Sequence, residues 1–168
     1  MLTGNDIVDL HSASIESNWR RPKYLQKVFT EHEQQLIHQA PQPDVMVWLL
    51  WSMKEAAYKV YSRKYAIRSY APSKLHCQLR PSTSRSTRTG VVQIDGLTLH
   101  TQSRITANMV HTIAAEEASI LPQIQVQISL RHHPANQNYR RHQPDSVSHH
   151  GQYLALIFAR PGSLQSRG

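Results

Sequence analysis

Residues 48–64, WLLWSMKEAAYKVYSRK, constrain the fold more tightly than any other stretch of this chain. Ala, Leu, Met, Lys and Glu are good helix formers, and the apolar residues recur at helical spacing. Stepping about 100° per residue gathers Met46, Leu49, Leu50, Met53, Ala57 and Val60 into a core-facing stripe. Trp48, Trp51, Ser52, Glu55, Lys59 and Ser62 fall on the opposite side. There, a carboxylate and an ammonium stand one turn apart between two indoles. Glu55 and Lys59 read either as an exposed i,i+4 ion pair, worth about 0.2–0.5 kcal/mol, or as part of a site.

The start of the chain favours a site. Leu2 to Leu10 reads as a short strand, with Ile7, Val8 and Leu10 apolar and Gly4-Asn5 allowing a tight entry. Asp6 and Asp9 interrupt that apolar run. Asp9 has an ordinary reading as a helix N-cap. Asp6 is harder to place, because a carboxylate on a buried strand needs a partner. A metal ion is one such partner.

Further along, residues 11–21 read as polar and irregular, and Pro22 as the first residue of a helix carrying Tyr24, Leu25, Val28 and Phe29. Thr30 and Glu33 have capping-box spacing at the head of a second short helix, about 31–39. Glu31 and Glu33 are expected to be surface and cap residues. After Ala40-Pro41-Gln42-Pro43, Asp44 is expected to cap the long helix. The rest reads as strands: 75–79; a hairpin over 90–103, turning at Asp95-Gly96; 109–115; 124–130; and a buried run at 154–159. PSTSRSTRT at 81–89 and RHHPANQNYRRHQPD at 131–145 read as exposed loops. The histidines of the second lack HxxxH or HExxH spacing, so they do not read as a metal site. Residues 161–168 read as a frayed polar tail beyond a single domain at 1–160.

Three segments, GNDIVDL at 4–10, WSMKEAAYK at 51–59 and SVSHHGQY at 146–153, together resemble the 4'-phosphopantetheinyl transferase superfamily. FTEHE at 29–33 is similar to the segment between that family's first two motifs. The resemblance is good over 1–64, vague over 65–145, and returns at 146–159. It implies an α+β fold, a small antiparallel sheet packed on a long central helix. It also implies transfer of phosphopantetheine from coenzyme A to a serine of an apo acyl or peptidyl carrier protein, leaving 3',5'-ADP. Such attack at a pyrophosphate phosphorus is eased by positioning and by neutralising oxygen charge. Magnesium suits it, taking hard oxygen ligands. Asp6 and Glu55 are carried over as metal ligands, with Asp9 as a third acid and Glu55 and Lys59 as catalytic residues. Lys59 would meet phosphate, Lys54 phosphate or the carrier protein, and Ser148 and His149 would touch coenzyme A, with His150 leaving that register open by one. Val8 stands where the larger members of the family have a further metal-binding acid, which favours the smaller, holo-acyl-carrier-protein-synthase type. The smaller type forms trimers, so Ser148 and His149 would face Asp6 and Glu55 of a neighbouring subunit, unless the extra strands close the site within one chain.

Charge bears on partners. With Lys+Arg 19 against Asp+Glu 11, the chain carries +8, which suits anionic coenzyme A and acidic carrier proteins. A non-enzymatic binder of nucleic acid or acidic protein would share that charge, but no nucleic-acid motif accompanies it and Asp6 with Glu55 is left unexplained. A degenerate coenzyme A-binding member of the family is the other rival. The single cysteine, Cys77, fits a reducing compartment. Neither a secretion signal nor a membrane-length apolar run stands out, so the cytoplasm is expected.

Overall fold

The computed structural model describes residues 1–159; the tail expected at 161–168 lies outside them. Strand β1 (Thr3–Asp9) is buried along its whole length. It is followed by helices α1 (Leu10–Glu16), α2 (Tyr24–Val28), α3 (Glu31–Gln39) and α4 (Pro43–Tyr65). Then come β2 (His76–Leu79), β3 (Thr87–Ile94), β4 (Leu97–Ile105), β5 (Met109–Ala115), β6 (Ile124–Leu130), β7 (Ser146–His150) and β8 (Tyr153–Ala159). One antiparallel sheet has the order β1-β5-β4-β3-β2 and a second the order β6-β8-β7. The expected α+β architecture is therefore present, with α4 lying on the larger sheet.

Helix α4 is buried over its middle turns, with the larger sheet on one side and α3 packed on another. Val47, Leu50, Met53, Ala57 and Val60 are fully buried, and so are Ser52 and Lys54. Its closest approach is to β1 at Gly4, where a Cβ would strike the Ala56 carbonyl oxygen. A side chain there would push β1, and Asp6 with it, off the helix. The β3–β4 hairpin turns at Asp95 (φ 48°) and Gly96 (φ 78°), with Ile94 opposite Leu97, as the Asp-Gly pair dictates.

Several local expectations are corrected. Residues 10–16 form a helix, started by Asp9, whose carboxylate accepts the Ser12 N–H. Pro22 precedes α2 in a turn, and Lys23 at φ 67° is the actual cap. Pro43, not Asp44, opens α4: its missing N–H is harmless in the first turn. Asp44 instead accepts from the Trp19 indole and Arg20. The Thr30/Glu33 capping box forms as expected, but Glu33 is no surface residue; it is fully buried and pairs with Lys54 at 2.7 Å. Among the described residues, no helix is long and apolar enough to cross a membrane.

Candidate active site

The site sits where three elements meet: the middle of β1, the second half of α4, and β7. Strand β1 is an edge of its sheet, so alternate main-chain groups lack a strand partner. Strand β7 runs alongside in the same direction and meets them with side chains. Ser146 Oγ accepts the Asn5 N–H (3.1 Å), Ser148 Oγ that of Ile7 (3.0 Å), and His150 Nδ1 that of Asp9 (2.8 Å). From the helix, Lys59 Nζ donates across the same seam to the carbonyls of Asn5 (2.7 Å) and Val147 (3.0 Å). A serine-rich β7 and a lysine on α4 thus do the work of main-chain pairing.

This seam places Asp6. The residue is buried and faces α4, where Ser52 Oγ donates to its carbonyl at 3.3 Å. Ser148 Oγ donates to Oδ1 at 3.4 Å, while Oδ2 is buried with no partner among the described residues. Burial pushes the Asp6 carboxyl up to about 7; Lys59 pulls it back, Glu55 adds to the rise, and the Ser52 and Ser148 hydroxyls oppose it. The Glu55 carboxyl is likewise raised by burial, against the pull of Lys59. Lys59 is lowered by burial and held up by Asp6 and Glu55. The Tyr70 hydroxyl is buried beside Glu55 and lowers its carboxyl, though among the described residues it meets hydrogen-bond geometry with no group. Its ring packs on Tyr58 at 4.5 Å and edge-on to Trp51 at 6.2 Å.

Glu55 and Lys59 are therefore not an exposed ion pair. Both are half-buried, and two of the three ammonium donors of Lys59 go to carbonyls. A cavity of about 320 Å³ opens on Asp6 and is walled by Trp48, Trp51, Tyr24, His149 and His150. A larger cleft of about 870 Å³ lies between the sheets near His111, but its walls carry no carboxylate.

Two of the residues carried over from the resemblance are placed elsewhere. Lys54 cannot meet a phosphate: it is fully buried, paired with Glu33, and donates to the carbonyls of Val28, Pro72 and Leu75. It ties α4 to the segments on either side. Asp9 is not beside Asp6, since side chains three apart on a strand point to opposite faces. Its two oxygens are taken by the Ser12 and Gln152 N–H groups, and Gly151 (φ 54°) packs so closely that a Cβ would overlap the carboxylate. Of the histidine pair, His150 holds β1, and His149 is exposed at the cavity. Ser148 reaches Asp6 within one chain. Ser52, Ser146 and Tyr70 were missed as site residues. Ser52 alone left a signal, lying on the same helix side as Glu55.

The donor set can be tested against a hard cation. Asp6 offers a buried oxygen with no other partner, and Glu55 is close enough to raise the Asp6 carboxyl. Among the described residues, no three His, Cys, Asp or Glu side chains converge. A cation here would have two protein carboxylates and complete its shell from substrate and water, as magnesium does. The residues fit.

With this geometry in view, known proteins can be compared. A family model for the 4'-phosphopantetheinyl transferase superfamily matches residues 3–114, and the chain belongs to that superfamily. The match includes Asp6, Glu55 and Lys59 and ends before β7. Among solved structures, the holo-[acyl-carrier-protein] synthase of Thermotoga maritima is similar over 95% of this chain and 84% of its own, at 12% identity and a TM-score of 0.47. No curated protein matches the sequence.

Proposed function

We propose that this chain is a magnesium-dependent phosphopantetheinyl transferase of the holo-acyl-carrier-protein-synthase type, acting in the cytoplasm. It would move the phosphopantetheine arm of coenzyme A to a serine of an apo acyl or peptidyl carrier protein. The observation that carries the reading is the partnerless Asp6 Oδ2, buried on a rigid strand beside the carboxylate of Glu55. Family membership supports the reaction class.

In this reaction the serine oxygen forms a bond to phosphorus, the bond from phosphorus to 3',5'-ADP breaks, and the serine proton leaves to Glu55 or to water. Asp6 and Glu55 would hold the magnesium ion, which when bound supplies charge neutralisation on the pyrophosphate. Burial lowers the Lys59 ammonium while the Asp6 and Glu55 carboxylates oppose that fall, and its third N–H would meet a phosphate oxygen. His149, exposed at the cavity, is free to meet the nucleotide side of coenzyme A. Trp48 and Trp51 exclude water from one wall. A trimer belongs to the same proposal and is read directly by light scattering.

The test is the intact mass of an apo carrier protein after incubation with the chain, coenzyme A and magnesium. A gain of one phosphopantetheine arm, lost in Glu55→Gln, is expected. No gain across several carriers, together with salt-sensitive polyanion binding that needs no magnesium, would move the reading to a binding module. Coenzyme A binding without transfer would mark a degenerate member.

A further inference from the structure

The hydroxyl of Ser148 has its one proton committed. The residue is 6% exposed. Its oxygen accepts the Ile7 N–H at 3.0 Å, and a main-chain N–H can only donate. The one hydroxyl proton must therefore go to an acceptor, and the acceptor in reach is Asp6 Oδ1 at 3.4 Å. A serine has no second proton. Phosphate oxygens need donors, so Ser148 has nothing to give a phosphate while it holds Asp6.

The two oxygens of Asp6 are thereby made unequal. Oδ1 is tethered, and Oδ2 is buried without a donor among the described residues. A buried carboxylate oxygen left in that state is costly, and a cation relieves it. Ser146 supplies an internal comparison. It lies two residues earlier on the same strand, is 7% exposed, and accepts the Asn5 N–H at 3.1 Å. Among the described residues it has no acid as partner. The two serines share the anchoring of β1, and Ser148 alone adds a contact to a carboxylate.

We propose that Ser148 is a positioning residue for Asp6: its hydroxyl fixes Oδ1 and turns Oδ2 toward a divalent cation, rather than binding a phosphate of coenzyme A. This rests on the metal reading above. Hydrogen bonds to a ligating carboxylate set its orientation, and losing one typically weakens metal binding by 10–100-fold.

The experiment measures Mn2+ affinity by calorimetry, without coenzyme A, in wild type, Ser148→Ala, Ser148→Thr and Ser146→Ala. Melting curves of each variant report the shared anchoring role. Ser148→Ala is expected to bind Mn2+ about tenfold more weakly. Its KM for coenzyme A at saturating metal should stay unchanged. Ser148→Thr, which keeps the hydroxyl, should restore affinity. Ser146→Ala should lower melting as Ser148→Ala does while binding Mn2+ like wild type. If Ser148→Ala does not fold, Ser148→Val against Ser148→Thr isolates the hydroxyl at constant shape. Unchanged Mn2+ affinity in Ser148→Ala with a raised KM for coenzyme A overturns the proposal alone. No Mn2+ binding by wild type overturns the metal reading and this one together.

Discussion

Lys54 shows how burial decides the role of a charged residue. It stands next to Glu55 in the chain, yet the two side chains leave α4 about 100° apart. One enters the core and the other meets the site. The Lys54–Glu33 pair is completely buried and hydrogen-bonded throughout. Removing one partner strands the other charge in the interior, so Lys54→Met should destabilise the fold by about 3–5 kcal/mol in urea titration. Glu33→Gln combined with Lys54→Met should cost less than Lys54→Met alone. A combined loss equal to the sum of the two single losses would show that the pair is not coupled.

His111 carries a pH signature at the same scale. Burial and then the charge of Lys59 lower its imidazole from 6.5 to about 4, and Nε2 lies 3.1 Å from the Asn5 amide nitrogen. The unfolded chain takes up that proton first, so the stability that neutral His111 provides is present above pH 6.5 and is lost as pH falls toward 4. Asp6 in the metal-free protein does the reverse. Its raised carboxyl binds a proton that the unfolded state has released, so its contribution is present at low pH and is lost as pH rises toward 7. The two slopes oppose each other between pH 4 and 6.5. His111→Gln removes one of them. The stability difference between wild type and this variant should therefore shift by about 2–3 kcal/mol in favour of the variant between pH 7.5 and 4.5. A constant difference across that range would refute the assignment.

At the scale of elements, the β1–α4 contact and the β1–β7 seam position the site. Gly4→Ala should destabilise the protein by at least about 1–3 kcal/mol, because the methyl meets a main-chain oxygen that cannot step aside. It should also weaken Mn2+ binding, since Asp6 lies two residues away on the same face of β1. A conservative loss of stability with full Mn2+ affinity would mean that the strand absorbs the shift without moving Asp6. The elements themselves were largely legible. β5 and β6 fall where the sequence puts strands, and the Asp-Gly turn places the hairpin. Helix α1 was not, since its only buried residue is Ala13 and a short helix with so small an apolar face has almost no periodic signal. β7 carries little strand signal in the sequence, because its inward side chains are Ser, Ser and His.

For the whole molecule, the site closes by bringing β7 back onto β1 across more than 130 residues of chain. Cation binding to the folded state should consequently stabilise the entire protein. At a concentration one hundred times the dissociation constant, linkage gives about 2.7 kcal/mol. Asp6→Asn should lose that stabilisation in thermal melts with and without Mn2+, while keeping the fold. An undiminished metal-dependent rise in melting temperature in Asp6→Asn would place the cation elsewhere.

The sequence by itself determined the long helix, most strands and the hairpin turn, and it put Glu55 and Lys59 on one face of that helix. Local spacing carries that information, because helix and strand periods fix which side chains share a face. Only the tertiary structure decided that Lys54 is a core ion, that Asp9 is a cap, and that Ser148 reaches Asp6 in the same chain. Those outcomes depend on which groups burial leaves without water and which distant partner arrives to satisfy them, and no spacing along the chain records that.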